Sequence, residues 1–140
     1  MVHALNEIWR VLVPGGILTD LRPFGDHWPV EIVSRAEVWP AGLVDGSLSF
    51  PDDLAANAAI EHVVATGLFT REQSGSFKLF TYWDTVAEFE AYMDARSSAI
   101  LPPETLAELT RLQARHGPDA RVRTCHSMII ARYRKLARGE

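Results

Sequence analysis

Four side chains that could bind or activate a small polar molecule lie close together in the sequence. Asp20 and Arg22 come near the end of an apolar stretch that begins at Ile17, and His27 and Trp28 follow shortly after. A carboxylate and an imidazole can exchange protons, a guanidinium binds anionic oxygens, and an indole packs against apolar groups. We therefore predict a substrate-binding group made of Asp20, Arg22, His27 and Trp28.

The same residues also have two other interpretations. In the structural one, Asp26 makes a turn, Trp28 closes the core and Arg22 is a solvated strand end, because loops carry such residues for turn chemistry alone. In the other, the chain is an independent enzyme in which Asp20, Arg22 and His27 act as acids or bases. Only the residue types in one loop support that third interpretation.

The chain before this group predicts a helix followed by a strand. Over residues 2–13, apolar side chains recur at helical spacing, at Leu5, Ile8, Trp9 and Leu12. Pro14-Gly15-Gly16 ends the helix, and residues 17–22 predict a strand that is buried by helices on both faces. In open α/β sheets ligands bind beyond the carboxyl ends of the strands, so we expect residues 24–29 to form a loop that contacts substrate.

The segment Ala4–Asp20 contains the pattern Leu-x-Glu-x-x-Arg-Val-Leu-x-Pro-Gly-Gly-x-Leu. This pattern resembles a segment of the class I S-adenosylmethionine-dependent methyltransferases, where it spans the fourth helix and fifth strand of a doubly wound sheet. The resemblance implies an α/β fold, a truncated Rossmann-like half. Its small mixed sheet, with an antiparallel last strand, is packed by helices. In that family the fifth strand pairs on one side with the fourth and on the other with the antiparallel last strand.

The rest of the chain is similar to the C-terminal half of the same family. In the family this half follows a glycine-rich loop and an acidic residue that hold the cofactor, and neither signature occurs here. The resemblance therefore implies a truncated or split methyltransferase-like protein that needs a partner to supply its cofactor half. S-adenosylmethionine is the cofactor of the family, and none is expected for the isolated chain. The alternative is a non-catalytic module, derived from this fold, that binds a small molecule or a protein.

The strand at residues 17–22 also leads to a prediction about partners. Without the family's fourth strand beside it, this strand would present a bare apolar edge, which is an aggregation hazard unless it is covered. We therefore expect either a homodimer or a complex in which a partner polypeptide covers the edge strand 17–22.

We expect a single domain over residues 1–140, with a β insertion at 29–50 and a helical hairpin at 84–117. Residues 30–38 alternate as an extended segment, and Asp45-Gly46 is a strong hairpin-turn signal. In the methyltransferases, insertions after the fifth strand commonly shape the substrate pocket, which is what the resemblance implies for this stretch.

Three helices and two strands complete the prediction. A helix begins at Pro51 and stops at Gly67, and the connection Ser74-Gly75-Ser76 leads to a buried aromatic strand at 77–83. Thr85 and Glu88 form a capping box that starts the next helix. The hairpin's second helix ends at His116, and a closing strand at 125–135 is flanked by solvated arginines, with Arg138 in the tail.

Composition excludes several classes of protein. The 140 residues are 47% hydrophobic, as in a globular domain, and the net charge of -4 gives no basic footprint for nucleic acid. The single Cys125 excludes an internal disulfide and a multi-cysteine metal site, and the scattered histidines predict no metal site. No apolar run approaches the roughly 18 residues of a membrane span, so we expect a cytoplasmic protein without membrane contact.

Overall fold

A computed structural model describes residues 1–35 and 37–137. Ala36, which belongs to the predicted extended segment, and Arg138, in the predicted tail, lie outside the described residues. Across the described residues four helices pack on a five-stranded antiparallel sheet. The helices are α1 (Val2–Val11), α2 (Phe50–Ala65), α3 (Val86–Asp94) and α4 (Pro103–His116). The strands are β1 (Ile17–Pro23), β2 (His27–Ser34), β3 (Glu37–Asp45), β4 (Phe69–Trp83) and β5 (Arg121–Lys135).

The strand order in the sheet is β1-β5-β2-β3, and β4 also pairs with β5. The α/β class is confirmed, whereas the predicted mixed sheet is wrong for the described residues. The physical reason is that a parallel pair needs two neighbouring strands that run in the same direction. The described strand that pairs with β1 is β5, which runs back along it.

The chain divides into two compact units. The first unit contains Met1–Phe24, Pro51–Phe77 and the chain from Met128 onward, and thus α1, β1, α2 and parts of β4 and β5. The second unit contains Gly25–Phe50 and Lys78–Ser127, and thus β2, β3, α3, α4 and the remaining parts of β4 and β5.

In the first unit, the helices pack on one face of the β1–β5 pair. Leu18 lies opposite Tyr133 in the register, so their side chains share a face. Both belong to an apolar cluster with residues of α1 and α2, among them Leu5, Ile60 and Val63.

The other face of the same strand pair is open. Leu21 lies opposite Ile130, and these side chains are 53% and 38% exposed, respectively. Ile17, on the same face, is also exposed. The prediction that β1 is buried on both faces is therefore wrong, because both helices of this unit pack against the Leu18 face.

The predicted helix ends in this unit are confirmed. The amide of Gly16 donates to the carbonyl of Val13 at 2.9 Å, and Gly15 has a φ of +74° that suits glycine. Helix α2 carries Asp52 and Asp53 in its first turn, where the helix dipole favours negative charge.

In the second unit, β2 and β3 form an antiparallel pair that begins at His27, two residues before the predicted β insertion at 29–50, and otherwise lies within it. The turn that joins them follows Ser34, whereas the prediction placed a hairpin turn at Asp45-Gly46. Asp45 instead ends β3, and its Oδ1 accepts from the amide of Ser47 at 2.9 Å. Arg35, with a φ of 53°, takes the left-handed conformation that a tight turn requires.

The core of the second unit lies between β2, β3, α3 and α4. Its largest buried side chains include Ile32, Phe89 and Leu109. The predicted cap at the start of α3 is confirmed, because the amide of Glu88 donates to Thr85 Oγ1 at 3.1 Å, whereas the Glu88 carboxylate accepts from the amide of Asp84 and not from that of Thr85. The predicted apolar face of that helix, Val86, Phe89 and Met93, is buried.

Strand β4 differs from its prediction in two ways. It runs without a break through Ser74-Gly75-Ser76, and its aromatic part is exposed rather than buried. The described partner of β4 in the sheet is β5 alone, so β4 is an edge strand. The ring of Phe80 lies 4.4 Å from the guanidinium carbon of Arg123, and that of Tyr82 lies 5.2 Å from the guanidinium carbon of Arg121. Cation–π contacts thus give these exposed rings partners.

Candidate functional site

A cavity of about 350 Å³ opens in the first unit. It lies on the face of β1 that α2 covers, and its walls come from β1, α2, β4 and β5. The polar side chains that line it are those of Asp20, Arg22, Asn57, Glu61, Arg71, Ser74, Ser76 and Tyr133.

Asp20 and Arg22 point into this cavity because residues two apart on a strand share a face. Arg22 Nε lies 3.1 Å from each carboxylate oxygen of Asp20, and the two side chains are only 15% and 16% exposed. The same guanidinium donates to Asn57 Oδ1 and, at 3.4 Å, to the carbonyl oxygen of Asp53. Arg22 therefore joins the carboxyl end of β1 to the first turns of α2.

A second arginine, Arg71 on β4, contributes to the cavity wall. Its Nε donates to the hydroxyl of Tyr133 at 3.4 Å, and its terminal nitrogen forms an ion pair with Glu61. The hydrogen bond to Tyr133, followed by that to Glu61, raises the pKa of Arg71 above its ordinary value. Arg71 thus keeps its positive charge at any physiological pH.

The floor of the cavity is made by small and apolar side chains. Gly75 carries no side chain, and Ile129 and Ala131 lie opposite Arg22 and Asp20 in the register, so their side chains share the face of the cavity. The short side chains of Ser74 and Ser76 flank it, and Ile60 of α2 adds apolar surface. A polar wall above an apolar floor is the usual composition of a small-molecule site.

The charges of the cavity suit binding better than proton transfer. The carboxylate of Asp20 is held by Arg22, and the carboxylate of Glu61 is held by Arg71. A general base needs a lone pair directed at the substrate proton, whereas these oxygens already accept from guanidinium groups. The arrangement can orient a ligand through the remaining N–H groups of the two arginines.

The structure divides the predicted substrate-binding group between the two units. Asp20 and Arg22 line the cavity of the first unit, and His27 and Trp28 belong to the second. Trp28 is buried in the second unit's core, where its ring lies 4.3 Å from that of His126.

His27 lies at the start of β2 rather than in a loop. Its Nδ1 is 3.2 Å from Asp26 Oδ1, and its Nε2 is 3.9 Å from Asp45 Oδ1. It borders a separate depression of the second unit, which Gly42 and Thr105 also line. The substrate-binding role of His27 and Trp28 stays a prediction.

The cavity residues that were not among the predicted ones include Asn57, Glu61, Arg71 and Tyr133. Asn57 and Glu61 are four residues apart, so the sequence places them on one face of α2, but it does not say what that face contacts. Arg71 and Tyr133 come together only through the pairing of β4 with β5, which the sequence pattern does not set.

Other kinds of site are not found in residues 1–35 and 37–137. No three His, Cys, Asp or Glu side chains there are grouped so that they could hold a metal ion. None of the helices in these residues is both long and apolar enough to cross a membrane.

No known protein family, no curated protein and no solved structure matches this chain. Its function is therefore inferred from the cavity and from the open surfaces of the first unit.

Proposed function

We propose that this chain is the acceptor-binding half of a split S-adenosylmethionine-dependent methyltransferase, and that a partner polypeptide supplies the cofactor half. The observation that carries the proposal is the open surface of the first unit. Its sheet is covered by α1 and α2 on one face only, and β1 has an unpaired edge among the described residues.

The open face supports this proposal because a doubly wound sheet has helices on both faces. Leu21 and Ile130 are exposed there, and a depression of about 540 Å³ on the same strands is lined by Thr19 and Arg132 among others. Contiguous exposed apolar surface commonly marks a site of protein–protein contact. Helices from a cofactor half would cover this face.

The open edge supports it independently. In the methyltransferases, the strand that follows the Pro-Gly-Gly turn lies between the fourth strand and an antiparallel last strand. Here β1 follows Pro14-Gly15-Gly16 and pairs with the antiparallel last strand β5 through seven residue pairs, from Ile17–Arg134 to Pro23–Met128. The position of the fourth strand is the unpaired edge, so a strand from the partner would complete the sheet.

In this proposal the cavity that Asp20 and Arg22 line is the site of the methyl acceptor. Arg22 lies at the carboxyl end of β1, which is where ligands of open α/β sheets bind. The cofactor itself would be held by the partner, since these 140 residues contain no glycine-rich loop after a strand.

A calorimetric titration of the isolated chain with S-adenosylhomocysteine tests this assignment. We expect no heat of binding up to millimolar ligand, because the residues that would hold the cofactor belong to the partner. Saturable binding in the micromolar range would contradict the proposal. A second copy of the chain could also cover the unpaired edge of β1. Light scattering on the same sample would detect this homodimer by a mass twice that of one chain.

A non-catalytic small-molecule-binding module is the second candidate function. The observation that favours it is that both carboxylates of the cavity are already paired with arginines. The two candidates differ in whether a cofactor half restores binding of S-adenosylhomocysteine.

A further inference from the structure

The two arginines of the cavity have more N–H donors than there are protein acceptors bound to them. An arginine offers five N–H donors. Among the described residues, three offer acceptors to Arg22, namely Asp20, Asp53 and Asn57, and two offer acceptors to Arg71, namely Tyr133 and Glu61. Each guanidinium therefore keeps N–H groups without a protein acceptor.

The acceptors that lie closest to the two arginines are already engaged by them. Both carboxylate oxygens of Asp20 and the amide oxygen of Asn57 accept from Arg22, and Glu61 accepts from Arg71. The Tyr133 hydroxyl accepts from Arg71 and keeps its own proton to donate. A ligand with acceptor oxygens therefore complements the free N–H donors of the two arginines.

We propose that the cavity binds a small molecule with a single carboxylate group and a short apolar body. The carboxylate accepts from the free N–H groups of Arg71 and Arg22, and the apolar body packs on Ile60 and Ile129. A planar carboxylate matches the planar fork of a guanidinium and can accept two parallel hydrogen bonds from it.

The charge of the cavity selects a monoanion over a dianion. Its two arginines are matched by two carboxylates, those of Asp20 and Glu61, so the cavity as a whole is neutral. When the exposed Glu61 turns into solvent, one positive charge is left without a carboxylate, which matches a monoanion but not a dianion such as a phosphate monoester. The volume of about 350 Å³ is near the lower end of the usual range for ligand sites, which limits the ligand to a small molecule.

The two carboxylates have different roles in this site. The side chain of Asp20 is 16% exposed and fixed by Arg22, whereas that of Glu61 is 63% exposed. Glu61 can turn into solvent at little cost, and the ligand carboxylate then takes its place on Arg71. Under the proposed function this ligand is the methyl acceptor, and that part of the inference rests on the proposed function.

Calorimetric titration of the full chain with matched acid and amide pairs tests the inference. The probes are benzoate with benzamide, and isovalerate with isovaleramide. We expect at least one acid to bind about tenfold more tightly than its amide, as the loss of a charged hydrogen bond predicts. Equal binding of acid and amide in both pairs would overturn the inference, and so would tighter binding of phenyl phosphate than of benzoate.

Three variants locate the binding in the cavity. Arg71→Gln should weaken binding of the acid about tenfold, and Glu61→Gln should strengthen it severalfold because the competing carboxylate is removed. Arg111→Gln, which removes an exposed arginine paired with Glu108 in the second unit, is the matched control and should bind as the wild type does. Unchanged binding by Arg71→Gln, when its thermal unfolding shows a folded protein, would overturn the inference. Failure of the acids to bind leaves the result of the S-adenosylhomocysteine titration unaffected, so the two proposals fail separately.

Discussion

Arg22 Nε lies 3.1 Å from both carboxylate oxygens of Asp20, on the face of β1 that α2 covers. The same guanidinium reaches Asn57 and the carbonyl oxygen of Asp53, so one side chain connects strand and helix beside the cavity. Both side chains of the pair are largely buried, and a buried charge that loses its partner is strongly destabilising. The pair therefore has a structural role in addition to any role in binding.

Removal of the Asp20 charge should destabilise the protein. We expect Asp20→Asn to lower the free energy of unfolding by about 2 kcal/mol, because Arg22 would keep a buried charge without a carboxylate. Asp84→Asn, which breaks the more exposed ion pair with Arg121, is the control. It should change the free energy of unfolding by no more than about 0.5 kcal/mol. Urea unfolding measures both values, and equal losses for the two variants would contradict this role of Asp20.

The buried hydroxyl of Thr124 should destabilise the folded protein. Thr124 is fully buried on β5, and no described residue offers its Oγ1 a hydrogen-bond partner. Replacement by the isosteric valine, Thr124→Val, removes the unsatisfied group and should raise the free energy of unfolding by about 1 kcal/mol. Thr124→Ser keeps the hydroxyl and loses a methyl group, so it should lower that free energy. A less stable Thr124→Val protein would show that the hydroxyl is satisfied.

His126 should make stability depend on pH. Burial, followed by the nearby charge of Arg96, lowers the pKa of His126 below its ordinary value of 6.5. As pH falls below 6.5, His126 becomes protonated in the unfolded chain but stays neutral in the folded chain. The free energy of unfolding therefore falls until the pH reaches the lowered pKa of the folded state. His126→Asn should lose this part of the pH dependence.

Urea unfolding of wild type and His126→Asn, at pH values above and below 6.5, measures the effect of His126. The loss of free energy on acidification should be smaller in the variant than in the wild type. An identical loss in both proteins would mean that His126 has the same pKa in the folded and unfolded chains.

Gly42 should be intolerant of any side chain. A Cβ at this position would lie 2.6 Å from Thr105 Oγ1, and its φ of +148° already favours glycine. Thr105 Oγ1 donates to the carbonyl oxygen of Leu43 at 3.1 Å, which joins α4 to β3. Gly42→Ala should therefore lower the free energy of unfolding by about 2 kcal/mol or more through overpacking.

Gly67→Ala is the matched control for Gly42. Gly67 also has a positive φ, of +74°, but nothing lies within 4 Å of a Cβ built there. This variant should lose only the backbone preference, about 1 kcal/mol. If thermal unfolding shows equal losses for the two variants, the contact with Thr105 is not the cause.

The sequence alone predicts those elements whose signals are local. The Pro14-Gly15-Gly16 stop, the acidic first turn of α2 and the cap at Thr85 each act within a few residues, and the structure has all of them. The Asp45-Gly46 signal does not give a hairpin, because Asp45 is the last residue of β3 and forms an antiparallel β-bridge with Ile100. A tertiary contact thus overrides a local preference.

The site could be predicted only in part for the same reason. Asp20 and Arg22 share a strand face through the period of a strand, which a sequence shows. Asn57 and Arg71 reach that face through the packing of α2 and the pairing of β4, which depend on tertiary structure. The exposure of the β4 aromatics was likewise missed, because aromatic strands are usually buried and only the sheet order reveals an edge.

A chimera tests the central claim most directly. In this chimera, the cofactor half of a class I methyltransferase, up to and including the fourth strand, is joined before Val2. The chimera and each half alone are titrated with S-adenosylhomocysteine. We expect micromolar binding by the chimera. The variants Leu21→Asp and Ile130→Asp should weaken it at least about tenfold, since they place charges on the open face. In the isolated chain the same exposed substitutions should leave stability nearly unchanged. A folded chimera that does not bind the ligand, or that binds it equally well with both substitutions, would contradict the account.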